Sequence, residues 1–479
     1  MTQLKAMPFV NGEWLSGSRE TTPIISPYSQ ETIGEQYIAE EADVEQSLAT
    51  AYASRGKIRA ISSGRRAAIL KQAAALLEEE KQEFARLIAK ELGKPMKNTI
   101  DEVSRSIETL ELSGEEAKRL HGETIPGDAS VRGENTIAST HRVPVGVIAA
   151  ITPFNAPLNL VCHKIGPAFA GGNTTILKPA PQTTLIATSF VDLLLRAGFP
   201  EEAVQMVLGG VETGQQIVSD KRVSVISFTG GTVAAENICS LAGMKKVLLE
   251  LGGNAATIVH EDADLEKAAA MCAKTGYSNS GQSCISVQRV YVQEKVLDQF
   301  AELLQKQVSQ LKVGDPLDME TDIGSLVDTN AAGRIHSWVT EAVSSGAEVM
   351  FGGNQSGATM EPTLLKNPSK NSQVIYSEVF GPIVSLVPYK EFDDAIAEAN
   401  DSDFGLQTGI FTKNIDLAYQ AAHQLEAGGV IINGTSNFRL DHWPYGGVKN
   451  SGIGREGPRY AIEEMTEMKM IVLRLPDFS

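Results

Sequence analysis

Val145-Gly146-Val147-Ile148-Ala149-Ala150-Ile151 runs directly into Thr152-Pro153-Phe154-Asn155-Ala156-Pro157. The first seven residues form a short, continuously apolar run bounded by turn residues, as expected of a strand covered on both faces. A helical stretch to Ala170 follows, then strand Thr174–Leu177 ending in Lys178-Pro179, helix Leu185–Arg196, strand Val204–Leu208, glycine-rich turns and strand Val223–Phe228. Short apolar strands alternating with helices imply a parallel sheet between two helical layers. Ligands on such sheets bind beyond the carboxyl ends of the strands. Asn155, Lys178, Gly210 and Gly230 all fall at such ends. A second α/β unit begins after Gly252, with helix Leu265–Lys274, strand Val287–Val292 and a long helix near Leu297–Leu311.

Upstream, Ser62-Ser63 can cap a helix whose apolar positions Ile69, Leu70, Ala73, Leu77, Phe84, Leu87, Ile88 and Leu92 keep a helical period. Gly93 and Pro95 end it, the first as a left-handed cap and the second by forbidding continuation. Downstream, Lys469–Leu475 alternates and runs apolar with no hairpin mate nearby in the chain. Such a strand must pair elsewhere, and a subunit interface is one place to do so.

The chain's 479 residues exceed what one hydrophobic core usually organises, so two or three domains are expected. A net charge of −17 repels phosphate backbones and anionic lipid, which argues against nucleic-acid and membrane partners. No apolar run approaches the ~18 residues of a membrane span, and no basic-then-apolar leader opens the chain. A cytoplasmic enzyme fits these features. The cysteines, Cys162, Cys239, Cys272 and Cys284, show no C-x-x-C spacing, so neither a metal site nor a disulfide framework is expected. Cys162, Cys239 and Cys272 read as small buried hydrophobes.

Cys284 differs in its surroundings. It ends the small polar stretch Asn279-Ser280-Gly281-Gln282-Ser283-Cys284, where substrate can reach a thiol. Glu250 stands in Leu249-Glu250-Leu251-Gly252-Gly253-Asn254, before a glycine bend that leaves a carboxylate room to hold water. A nucleophile and a general base are the two parts needed to make and then hydrolyse a thioester. Phe228-Thr229-Gly230-Gly231-Thr232 follows a strand and opens a helix, where backbone N–H groups suit a pyrophosphate, although the spacing is not G-x-G-x-x-G. Lys178 adds a cation for a ribose or phosphate. Glu378, in Ser377-Glu378-Val379-Phe380-Gly381-Pro382, offers a carboxylate for ribose hydroxyls, and Phe380 a flat face for a ring.

These segments, with Glu91–Pro95, Lys178-Pro179-Ala180 and Pro444-Tyr445-Gly446-Gly447-Val448-Lys449-Asn450-Ser451-Gly452, resemble the NAD(P)-dependent aldehyde dehydrogenase superfamily over essentially the whole chain and in family order. The resemblance implies an α/β fold of two parallel-sheet domains, a Rossmann-like cofactor domain (1–121 and 141–251) and a catalytic domain (252–452). A small β oligomerisation element (122–140 and 465–479) completes it, and a homodimer or homotetramer is implied. Carried over, Cys284 is the nucleophile, Glu250 the general base, and Asn155 an oxyanion-hole donor with the Cys284 backbone N–H. Thr152, Pro153, Phe154, Lys178, Ala180, Pro181, Gly210, Gly214, Phe228, Thr229, Gly230, Gly231, Leu251, Glu378 and Phe380 are implied to line the cofactor site.

The implied chemistry starts with a Cys284 thiolate, its pKa lowered by its surroundings, attacking an aldehyde. Hydride leaves to nicotinamide, and Glu250 activates the water that frees the acid. Pro181 stands where many NAD-preferring relatives carry a Glu, so NAD is expected with NADP also admissible. Gly231 and Ala235 depart from the Ser and Gly common in the family. Ser283, Arg439, His163 and Arg105 are candidates for the substrate pocket, the last three as receivers of an anionic group. The C-terminal third resembles the lactaldehyde dehydrogenase-type branch, which points to a small hydroxylated or anionic aldehyde. An aromatic aldehyde is the alternative, and a coenzyme A-acylating enzyme or a non-catalytic binding protein are further ones.

Overall fold

The computed structural model of the chain describes residues 4–476. The extremes of the expected segments, residues 1–3 and 477–479, lie outside the described residues. Two α/β bodies form, as the alternation of strands and helices predicts. The first sheet runs in the order Gly452–Ile453, Lys246–Glu250, Val225–Thr229, Val147–Ile151, Thr174–Lys178, Val204–Met206, Phe9–Val10, Glu13–Trp14. Its five middle strands are parallel. Val147–Ile151 comes first in the chain, and the next two parallel strands step away to one side, the last two to the other. The order therefore reverses between Val147–Ile151 and Val225–Thr229, and a crevice opens beyond the carboxyl ends of the strands at such a reversal. Thr152–Asn155 and Gly230-Gly231 leave the sheet at that point.

The second sheet runs Glu348–Phe351, Thr363–Lys366, Ile383–Tyr389, Arg289–Gln293, Ala256–Val259, Gln407–Phe411, Gly429–Ile432, parallel except for its first edge strand. A third, antiparallel sheet joins Thr124–Pro126, Thr136–Pro144 and Thr466–Arg474. The apolar terminal strand thus finds its mate far back in the chain. Met470, Ile471, Val472 and Leu473 on it remain exposed. No helix among the described residues is long and apolar enough to cross a membrane.

Most expected boundaries hold to within two or three residues, as for Val204–Met206, Val225–Thr229, Leu265–Gly276, Arg289–Gln293 and Leu297–Val308. Two expectations are revised. The stretch from Ser62 to Leu92 is two helices, Ser63–Glu79 and Lys81–Leu92, broken at Glu80 (φ −99°, ψ 11°). Leu77 and Phe84 keep a seven-residue spacing across the break, so the apolar pattern runs through it unmarked. Cys239 is exposed, not buried. Its helix Thr232–Ala242 buries Ala235, Ile238 and Ala242, and position 239, one turn on from Ala235, stays outside the packed contact.

The Glu91–Pro95 segment does more than end a helix. The buried Glu91 carboxyl accepts from the N–H groups of Leu185 (2.7 Å) and Ile186 (3.0 Å), satisfying two donors at the start of helix Thr184–Arg196. Gly93 takes the left-handed cap (φ 69°), and a Cβ there would fall 1.8 Å from the Ser325 hydroxyl. Lys94 pairs with Glu102 (2.6 Å) and donates to the Asn155 carbonyl (3.1 Å). Glu102 accepts in turn from Leu158 and Asn159 N–H, so this group fixes the turn that carries Asn155.

Replacing Glu91 by Ala strands two buried N–H groups and is expected to cost about 2–4 kcal/mol of stability, read from urea unfolding. Burial pushes the Glu91 carboxyl up to about 8 from its ordinary 4.5. Its contribution is therefore complete below pH 4.5 and lost as pH rises through about 8. The stability of wild type relative to Glu91→Gln should fall across that window.

Candidate active site

Glu250 ends a strand held on both sides, paired with Thr229 in one neighbour and Gly452 in the other. Its carbonyl accepts from Gly230 N–H (3.1 Å), and Leu251 N–H donates to Ser451 carbonyl (2.9 Å). The Ser451 hydroxyl bonds the Gly252 carbonyl (2.7 Å). The chain then bends through Gly252-Gly253 with no room to spare. A Cβ at Gly253 would lie 2.2 Å from the Cys284 carbonyl oxygen, and one at Gly252 would lie 2.5 Å from Glu378 Oε2. Gly253 N–H donates to Glu378 Oε1 at 3.0 Å. Three separate motifs meet at this bend.

The loop that carries Cys284 turns tightly through left-handed residues, Asn279 (φ 52°), Ser280 (φ 53°) and Gly281 (φ 72°). Asn visits that region readily, and Gly281 has no alternative, because a Cβ would fall 2.0 Å from the Gly381 carbonyl. Beyond the turn, the Gln282 carbonyl accepts from Asn155 Nδ2 (3.1 Å) and Asn279 Nδ2 (3.2 Å). Asn279 Nδ2 also reaches the Asn155 carbonyl (3.1 Å), so the loops of Asn155 and Cys284 are cross-tied. The Cys284 backbone N–H has no acceptor among the described residues. Ser283 is half-buried, and its hydroxyl accepts from Ile285 N–H within the same loop.

Contrary to the expectation of a lowered pKa, burial pushes the partly exposed Cys284 thiol up to about 12. The Glu378 and Glu250 charges push the same way, opposed by a 3.1 Å contact with the Tyr445 hydroxyl. Glu250 is 5% exposed, and its Oε2 has no hydrogen-bond partner. Burial, then the Glu456 charge, holds its pKa well above the carboxylate range. Burial therefore favours the neutral form of both groups.

The crevice residues present groups for a dinucleotide. Thr152 and Thr229 hydroxyls are buried without partners. Gly210 and Gly231 immediately precede helices Val211–Ser219 and Thr232–Ala242, and a Cβ at Gly231 would meet only open space. Lys178 lies along Gly214, and burial lowers its amine to about 8. Thr183 N–H bonds the Ala180 carbonyl in the turn Pro181–Thr183. The Phe228 ring fills the space beside Gly230, and Leu251 is buried beneath. Phe154, which follows Pro153, meets Phe380 edge to face at 5.8 Å. Burial raises Glu378 to about 7, against its Gly253 N–H bond and the Arg334 charge. Unpaired hydroxyls, two helix starts, a cation and open space over glycine suit a pyrophosphate and riboses.

Arg105, His163 and Arg439 do come together, but not as free receptors. Arg105 grips Asp441 with two bonds (2.9 and 2.7 Å), and His163 Nε2 meets Asp441 at 2.9 Å. Arg439 contacts Glu456 and His163, both at 3.1 Å, and lies 3.8 Å over the Tyr445 ring. Lys164 reaches Glu456 at 3.3 Å. Against burial, Lys164 and Arg439 hold Glu456 down to about 2, and His163 and Arg105 keep Asp441 ionised. Burial and then Arg439 lower His163, so it is neutral. Arg105, Lys164 and Arg439 face Asp441 and Glu456, with Asp101 beside Arg105 and Glu250 beside Lys164 and Arg439. Arg439 Nε and His163 Nδ1 have no hydrogen-bond partner. Asp441, Glu456, Lys164 and Tyr445 were outside the expected site. Lys164, a cation next to His163 in a helix that is otherwise mostly apolar, was the one local signal.

Residues 14–471 match the model of the aldehyde dehydrogenase family. The chain is 45% identical over 477 residues to a 3-sulfolactaldehyde dehydrogenase of Priestia aryabhattai, covering 99% of both. It is 39% identical to a lactaldehyde dehydrogenase of Methanococcus vannielii, covering 97% of this chain and 99% of that one. A crystal structure of the NADP-dependent glyceraldehyde-3-phosphate dehydrogenase of Bacillus halodurans, complexed with NADP, superposes with TM-score 0.97 at 37% identity, covering 99% of this chain and 100% of that one. The chain belongs to the aldehyde dehydrogenase family, and it is an NAD(P)-dependent oxidoreductase of aldehydes.

With the Cys284 thiol near 12, alkylation of the cofactor-free protein by iodoacetamide should be slow at neutral pH. It should quicken about tenfold per pH unit well into the alkaline range. A rate already flat at pH 8–9, on the order of an ordinary reactive thiolate, would contradict the electrostatics described.

Proposed function

We propose that the protein oxidises a small aldehyde bearing an anionic group, and often a hydroxyl, to its carboxylic acid. Cys284 Sγ attacks the aldehyde carbon after losing its proton, giving a thiohemiacetal on the sulfur. The developing alkoxide lies between Asn155 Nδ2 and the unpaired Cys284 N–H, donors whose individual loss typically costs about 2.7–4 kcal/mol. Nicotinamide, when bound, supplies the hydride acceptor that turns the thiohemiacetal into a thioester. Glu250, deprotonated, then removes a proton from water, which attacks the thioester carbon and releases the acid and the Cys284 sulfur. Thr152, Thr229, Gly231, Lys178 and Glu378 bind and orient the dinucleotide, and NADP is admissible beside NAD because Pro181 brings no carboxylate against a 2′-phosphate.

The buried Arg439 guanidinium, which faces Cys284 and has an Nε without a hydrogen-bond partner, carries the substrate class. A buried guanidinium with a free N–H beside the nucleophile favours a carboxylate, phosphate or sulfonate on the incoming aldehyde. Two relatives agree in kind, since sulfolactaldehyde and glyceraldehyde 3-phosphate are small anionic aldehydes. The outward apolar residues of Thr466–Arg474 support a homodimer or homotetramer, checked by the mass in solution.

Steady-state oxidation of sulfonated, phosphorylated and carboxylated aldehydes, set beside lactaldehyde and benzaldehyde with NAD and with NADP, tests this. Anionic substrates should show kcat/KM roughly tenfold or more above neutral ones, and a preference for benzaldehyde would overturn the class. Cys284→Ala should abolish turnover. Glu250→Gln should keep a burst of reduced cofactor but lose hydrolysis by about a hundredfold or more. Because burial raises the Glu250 pKa, hydrolysis in the wild type should rise with pH as this carboxyl ionises.

A further inference from the structure

Tyr445 stands in Pro444-Tyr445-Gly446-Gly447, a segment whose glycines and register already account for its backbone. Its side chain has a separate geometry. The hydroxyl lies 3.1 Å from Cys284 Sγ, within reach of a hydrogen bond involving sulfur. The ring is 5% exposed and packs with Ile285 and Leu406, so it has little freedom to swing away. The Arg439 guanidinium sits 3.8 Å over the ring face and is itself anchored by Glu456. A cation over a phenol ring withdraws electron density and makes the O–H a better donor.

We infer that Tyr445 is a catalytic residue, whose phenol donates a hydrogen bond to the Cys284 sulfur as it becomes a thiolate. This rests on Cys284 being the reacting sulfur and adds the group that makes its anion accessible. The charged and titratable groups facing the sulfur are Glu378 and Glu250, which oppose the anion, and Arg439 and Tyr445, which favour it. Those facing Tyr445 are Cys284, Arg439 and Glu250, and burial raises the phenol well above its ordinary value. Burial and the Cys284 charge favour the protonated phenol, the form that donates to the sulfur. The neutral thiol can donate to the phenol oxygen, and the thiolate accepts from it. Once the sulfur is bonded to carbon in the thioester it is a weak acceptor, and the hydrogen bond lapses. The contact therefore favours the nucleophile over the acylated state.

Tyr445→Phe removes the hydroxyl and keeps the ring. Alkylation of Cys284 in the cofactor-free full chain is followed by the mass of the Cys284 peptide and by residual aldehyde oxidation. The apparent thiol pKa in Tyr445→Phe should rise by about one unit or more, slowing alkylation roughly tenfold at any pH below it. The melting temperature should stay close to wild type. A Tyr445→Phe profile that overlays the wild type overturns the inference, as does slowed alkylation in Tyr445→Leu alone, which would assign the effect to ring packing. On the unmodified protein, the S–H stretch of Cys284, isolated by subtracting the Cys284→Ala spectrum, should be that of a hydrogen-bonded thiol. A free-thiol band overturns the inference even if no variant folds. Alkylation of Cys284 that leaves aldehyde oxidation intact would instead remove the nucleophile assignment, a result distinct from an unmoved pKa.

Discussion

Backbone meets backbone at Gly252-Gly253, and the rest of the site is arranged around that contact. No side chain fits between this bend, the Cys284 carbonyl and the Glu378 carboxylate. The strand that delivers Glu250 belongs to the first sheet, Cys284 to a loop before strand Arg289–Gln293 of the second, and Glu378 to a loop before strand Ile383–Tyr389. Each loop is anchored elsewhere, by Ser451 on Gly252, by Asn155 and Asn279 on Gln282, and by Gly381 against Gly281. A contact at van der Waals distance between main chains transmits position with little slack, because close-packed atoms resist displacement.

Electrostatics then sets the state of that arrangement. Cys284 and Glu250 are both pushed toward their neutral forms by burial, while the cluster behind them stays ionised because each carboxylate there has a cationic partner. The Arg439 Nε beside these two groups, without a hydrogen-bond partner of its own, meets the anionic end of the substrate in the proposed reaction. In the proposed reaction the sulfur ionises as substrate arrives, aided by the Tyr445 hydroxyl and the Arg439 field.

The sequence made the sheet order's building blocks legible, because buried strands such as Val147–Ile151 are continuous apolar runs and the helices between them keep a helical period. Small turn residues at strand ends single out Cys284, Glu250 and Asn155, and the fold brings their three segments together. What stayed hidden depends on pairing across long separations. Arg439 and Asp441 are near neighbours in the chain, yet their partners Arg105, His163 and Glu456 come from elsewhere, so the fate of each charge could not be read locally. The Cys284 pKa was misjudged for the same reason: a polar loop in sequence lies against Ile285, Leu406 and Tyr445 in space. The break at Glu80 leaves the apolar spacing intact, and Cys239 is exposed although one turn from buried Ala235, so helical period marks neither.

The most direct test is the specific activity of Gly253→Ala, with its fold checked by circular dichroism and melting. A methyl at that position must move the Cys284 carbonyl, 2.2 Å from the Cβ site. Displacing the sulfur by an ångström predicts a loss of about a hundredfold in kcat/KM in a protein that still folds. Activity within about twofold of wild type would contradict the claim that this contact positions the site.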